Sequence, residues 1–154
     1  MSEQEQQKRT ALVVTDVLND YDHPDADKLI ASAEELVERA LGGKRPDLVE
    51  PVTPDPDDSF VLKLRHSVFY ATPLEHLLRE REVGRVILAG QVTEQCILYS
   101  ALDARIREYE ITIPRDAVAH IHDDLAAAAL RMIELNLHGD VLDAEDAIPA
   151  QGTT

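Results

Sequence analysis

Short apolar runs alternate along this chain with stretches whose apolar residues recur every three or four positions. Ala11 to Val14 is an apolar, β-branched run ending in Thr15–Asp16, the pattern of a buried strand. From Asp27 to Leu41, apolar residues at Leu29, Ile30, Ala33, Leu36, Val37, Ala40 and Leu41 follow a helical period, and Gly42–Gly43 supplies the stop. Phe60 to Leu64 reads as a second strand. Pro73 suits the first position of the next helix, with Leu74, Leu77 and Leu78 on its apolar stripe. Val86 to Ala89 is a third buried strand, ended by Gly90. Thr93 is placed to cap a helix to about Glu108, on which Ile97, Ala101, Ala104 and Arg105 share helical spacing. Ile111 to Ile113 is a fourth strand. An alanine-rich helix then runs from His122 or Asp123 to about Asn136, and Val141–Leu142 forms a short final strand.

Strands and helices alternating this regularly imply an α/β fold: a three-layer α/β/α, Rossmann-like sandwich around a mostly parallel sheet of about five strands. The 154 residues fit one domain. Residues 1–9 and 150–154 read as flexible ends. The stretch 42–58, with Pro46, Pro51, Pro54, Pro56 and five acids, reads as a surface loop.

Composition narrows the partners. Thirty acids against fifteen bases leave a net charge of −15, a field that repels nucleic acid and anionic membrane surfaces. The longest apolar run, Leu125 to Leu130, is far short of the roughly 20 residues of a membrane span. The N-terminal MSEQEQQKRT has no apolar core of a secretory signal, and a lone cysteine fits a reducing compartment, so a cytoplasmic protein is expected.

In parallel α/β sheets, ligands sit beyond the carboxyl ends of the strands. Three such ends carry Asp16, Lys63 and the Gly90–Cys96 turn. Each residue has a bland reading alone: loop acid, edge charge, core filler. Together they make a candidate site, because a thiol attacks only as its thiolate and its free pKa near 8.5 leaves little of that form at neutral pH. A helix N-terminus and a lysine favour the thiolate, and an aspartate can take up the proton.

The segments ALVVTDVLNDY, KLRHSVFYATPLEHLL, VILAGQVTEQCILYSALDA and YEITIPRDAVA resemble the isochorismatase-like cysteine hydrolase superfamily, which includes nicotinamidases and N-carbamoylsarcosine amidases. Lys63, Ser67, Phe69, Thr72 and Leu74 match its middle motif. Gly90, Thr93, Cys96, Ala101, Asp103 and Ala104 match its third. The resemblance implies a catalytic triad of Asp16, Lys63 and Cys96. It also implies a cis peptide at Gln91–Val92 and an oxyanion hole from the backbone N–H groups of Val92 and Cys96. Tyr21, His66, Phe69 and Tyr99 are candidate pocket residues. The implied reaction is hydrolysis of a small amide, imide or related carbonyl compound through a thioester, without a cofactor, in a homo-oligomer. The alternative is a family member that binds a small molecule or partner protein without catalysis.

Two departures bear on the substrate. The second strand expected of the family after its first helix is missing here, replaced by the proline-rich stretch. Residues 42–58 contain no histidine and no Asp-x-His pair, so the nicotinamidase type of metal site is not expected. His120, His122 and the other histidines lack zinc-protease spacing and read as surface or capping groups.

Overall fold

A computed structural model describes residues 9–15, 57–59 and 61–147. Residues 9–15 and 62–147 belong to one compact unit, and residues 57–59 and 61 to a second. The expected helix at 27–41, nearly all of the proline-rich stretch, the place of the family's second strand, Asp16, Tyr21 and the tail 150–154 lie outside the described residues.

In chain order the elements are β1 (Arg9–Thr15), α1 (Leu74–Glu80), β2 (Val83–Gln91), a π-helical turn (Thr93–Ile97), α2 (Leu98–Ile106), β3 (Glu110–Pro114), β4 (Val118–Ala119), α3 (Asp123–Leu137), β5 (Asp140–Leu142) and α4 (Ala144–Ala147). Among the described residues, five strands form one sheet in the order β1-β2-β3-β5, with β4 paired to β2, and every pairing is parallel. The mostly parallel five-stranded α/β architecture expected from the pattern is therefore present.

β2 is the centre of the sheet, and its sequence explains why. Val86, Ile87, Leu88 and Ala89 are all buried, the mark of a strand covered on both faces. One edge carries β1 along its whole length, ending at Thr15 opposite Gly90. The other edge is shared: β3 pairs with Arg85–Ile87, and β4 takes up the ladder at Gly90–Gln91. The handover falls between Thr112, the last β3 residue paired with β2, and Val118, a stretch that contains Pro114 with no N–H to offer a ladder. A turn closed by Ala117 N–H on the Pro114 carbonyl (2.9 Å) follows, and Ala117 O then accepts Gly90 N–H at 2.9 Å.

Above the sheet the helices pack through small residues. Ser100, Ala101 and Ala104 of α2 have no exposed surface, and Ala126, Ala129 and Ile133 of α3 are buried. The two helices are in contact. Arg107, at the end of α2, accounts for another fixed point: its guanidinium lies over the Phe69 ring at 5.0 Å and reaches Glu75 at 2.7 Å and Asp103 at 3.0 Å. Among the described residues no helix is long and apolar enough to cross a membrane.

Three expectations need correction. Residues 61–64 are not a strand. Their polar–apolar alternation suggests one, but the backbone bends from Leu64 onward, with Lys63 Nζ turned onto the Arg65 carbonyl. Arg9, read as part of a loose end, begins β1 opposite Val83. The helix after β2 is not capped by the Thr93 side chain; its cap residue is Val92, in extended conformation. The Thr93 hydroxyl, 1% exposed, instead donates to the Ala119 carbonyl at 2.8 Å. A buried hydroxyl must find a partner, and β4 brings that carbonyl alongside.

Candidate active site

Two stretches of chain bring the candidate chemistry together. The first leaves β2 at its carboxyl end. The Gln91–Val92 peptide is cis, and the Val92 carbonyl accepts N–H groups from both Gln95 and Ile97 at 3.1 Å. The bond from Ile97 spans five residues and closes one π-helical turn that continues into α2. Turns of this width recur at functional sites. Cys96 sits in this turn, buried with 7% of its surface exposed.

The second stretch is the irregular segment 62–73. Its downstream half is anchored to the helix that Cys96 leads into. Val68 N–H donates to the buried Ser100 Oγ at 3.0 Å, and Phe69 N–H donates to Ser67 Oγ at 3.2 Å. Thr72 Oγ1 donates to the Val68 carbonyl. Phe69 stacks on Tyr109 at 5.9 Å. Phe69, a candidate pocket residue by sequence, is thus held between Tyr109 and Arg107 with 4% exposure and braces the segment instead.

These anchors set Lys63 and His66 over the thiol. Lys63 Nζ lies 3.6 Å from Cys96 Sγ and donates to the Arg65 carbonyl at 3.1 Å. His66 Nδ1 lies 3.7 Å from the same sulfur. The imidazole meets the Tyr99 ring edge-on, with centroids 5.7 Å apart. An ammonium at that distance favours the thiolate over the thiol. The lysine is half-buried and the histidine exposed. Of the candidate residues, Lys63, His66, Cys96 and Tyr99 are brought together here, with Gln91 and Val92 at the base of the turn. β1 ends beside that turn, with Thr15 Oγ1 at 3.3 Å from the carbonyl oxygens of Ala89 and Gln91. Asp16 follows Thr15 in sequence. Among the described residues no three His, Cys, Asp or Glu side chains are grouped as metal ligands.

One residue of this neighbourhood escapes a reading by motif. Glu94, two residues before Cys96, is buried, and its Oε1 accepts backbone N–H groups from Ile121 (3.0 Å) and His122 (2.9 Å). It ties the start of α3 to the turn that carries the thiol. Its Oε2 is buried with no hydrogen-bond partner among the described residues. Burial pushes its carboxyl pKa up, but the N–H groups of its own residue, His122 and Ile121 outweigh burial and hold it below the ordinary 4.5. An acid with a depressed folded pKa contributes stability above its unfolded pKa and loses it as pH falls through the folded value. Glu94→Gln is therefore expected to lower the melting temperature at neutral pH. The gap to wild type should close as pH drops below about 4.5; melts at stepped pH values check this, and a gap that stays constant contradicts it. The only sequence signal for Glu94 is an acid in the first turn of a helix, which ordinarily marks a solvated charge near the dipole.

A model of the isochorismatase domain matches residues 40–146, more than half of the chain. An uncharacterized isochorismatase family protein of Bacillus subtilis, YaaI, is 34% identical over 118 residues, covering 77% of this chain and 65% of that one. Maleamate amidohydrolase of Pseudomonas putida is 35% identical over 99 residues, covering 64% of this chain and 46% of its own length. Among solved structures, nicotinamidase PncA from Bacillus subtilis superposes with a TM-score of 0.58 at 31% identity, over 66% of this chain and 56% of that chain. The chain spans about half to two thirds of the length of these relatives. The family model covers more than half of the chain, and the chain belongs to the isochorismatase family.

Proposed function

We propose that this protein is a cysteine-dependent hydrolase of a small amide, imide or related carbonyl compound, acting through Asp16, Lys63 and Cys96. The observation that carries the reading is the placement of the Lys63 ammonium 3.6 Å from Cys96 Sγ, at the turn leaving the central strand. Similarity to an amidohydrolase and a nicotinamidase supports the amide class.

In the proposed reaction Asp16 takes the thiol proton and the Cys96 thiolate attacks the carbonyl carbon. The N–H groups of Val92 and Cys96 receive the developing oxyanion; one such donor is typically worth about 2.7–4 kcal/mol in the transition state. The C–N bond breaks as Asp16 returns its proton to the departing nitrogen, leaving a thioester. Water then attacks the thioester with Asp16 as base, and the sulfur leaves as thiolate. Lys63 compensates the negative charge on sulfur and aspartate throughout.

Nicotinamide and maleamate are the first probes, with ammonia release as the readout, joined by simple aliphatic amides and imides. Turnover of at least one of them is the expected result. Absence of turnover across the panel by a folded protein would overturn the hydrolase reading in favour of a binding protein.

A further inference from the structure

The triad does not account for His66. Its Nδ1 lies 3.7 Å from Cys96 Sγ, on the same sulfur that Lys63 approaches, and its ring is oriented by edge-on contact with Tyr99. The segment carrying it is anchored to α2 through Val68 and Ser100. An imidazole nitrogen aimed at a thiol can accept its proton, as in cysteine–histidine nucleophile pairs. We infer that His66 is a further catalytic residue of this site: a second proton acceptor and donor for Cys96, beside Asp16. The inference rests on the hydrolase reading above.

In this role the Cys96 S–H bond breaks and an Nδ1–H bond forms. The thiolate then rests between the Lys63 ammonium and the His66 imidazolium. After attack on the carbonyl, the same proton passes from Nδ1 to the departing nitrogen as the C–N bond breaks. In the second half-reaction Nδ1 takes a proton from the attacking water, the sulfur leaves as thiolate, and the imidazolium–thiolate pair is restored. No other reagent is needed. Among the described residues, the titratable groups in contact with the imidazole are Cys96 of the π turn and Tyr99 of α2; Lys63 shares the same sulfur, and Arg65 adjoins it in sequence. Loss of His66 is expected to disfavour the thiolate, because an imidazolium beside the sulfur stabilises it.

The test is the rate of Cys96 alkylation by iodoacetamide across pH 5 to 10, on the full chain, in wild type, His66→Phe, His66→Asn and Lys63→Ala. The Asn variant keeps a hydrogen-bonding side chain but cannot take up a proton. His66 is exposed, so both variants should fold, and a circular dichroism melt verifies that. The wild-type profile is expected to show two ionisation limbs. Each His66 variant should show one, with a rate near about pH 6 reduced roughly tenfold or more. His66 variants that keep both limbs and a rate within about twofold of wild type would overturn the role of His66. If Lys63→Ala still shifted the profile, the hydrolase reading would stand. A wild-type thiol that is inert across the range would overturn both.

Discussion

Cys96→Ala is expected to lower amide turnover by about 10⁴-fold or more while leaving the protein folded, because removal of a covalent nucleophile leaves only binding and oxyanion stabilisation. The two halves of that expectation come from different parts of the structure. The sulfur is approached by Lys63 and His66, whereas the turn itself is held by backbone bonds to Val92 and by Thr93. Losing one sulfur atom there should cost about 1 kcal/mol of stability. Lys63→Ala should also reduce turnover, by about 10²-fold, through loss of the cation that compensates charge at the sulfur. Parallel measurement of turnover and thermal melting separates the two effects. A Cys96→Ala protein that retains turnover would exclude a thioester route.

Gly90→Ala is expected to be the most damaging single methyl in the described structure. Gly90 has φ of +105°, a region that L side chains avoid. A Cβ built there would lie 2.0 Å from the Thr15 carbonyl oxygen, 2.8 Å from Thr15 N and 2.9 Å from Thr15 C. All three are backbone atoms of β1, and Thr15 is the ladder partner of Gly90. No flexible side chain is there to yield; relief requires moving β1 off the centre of the sheet. The expected loss is on the order of 4 kcal/mol or more, enough to unfold a marginally stable domain. Urea or thermal denaturation against wild type measures it. An alanine variant with unchanged midpoint would contradict the close approach of the two strands.

The same glycine shows what could be read from the chain and what could not. Its place after a buried apolar run marks it as the end of a strand. The reason it must be glycine is a neighbour seventy-five positions away in sequence. Strands β1, β2, β3 and β5 are legible as short apolar runs, and helices α1, α2 and α3 by their helical apolar spacing. Their ends shift outward, as in β2, where Gly84 and Arg85 on one side and Gly90 and Gln91 on the other interrupt the apolar run. β4 is two residues long and α4 four, too short for a period to declare itself. The segment 61–64 misleads in the opposite direction: its alternation fits a half-buried strand, but the backbone bends from Leu64 into the turns that carry Ser67 and Phe69.

The candidate site divides in the same way. Cys96 and Lys63 stand out as reactive residue types near strand ends, and the structure places them within 3.6 Å although the lysine is on no strand. His66 and Tyr99 are placed beside them as a pair. Phe69 matches the motif, yet its ring is engaged by Arg107 and Tyr109. The pairing depends on Arg107 at the end of α2, which no local pattern links to residue 69. Glu94 is hidden for a similar reason, since its partners Ile121 and His122 arrive from beyond β4.

The central claim is that the reaction passes through Cys96. Acid quenching during turnover of whichever amide probe is hydrolysed, followed by intact-mass measurement and peptide mapping, tests it most directly. A mass increase equal to the acyl portion of the probe, located on Cys96 and absent from Cys96→Ala, is the predicted result. No adduct on the wild-type protein, together with undiminished turnover by Cys96→Ala, would contradict it.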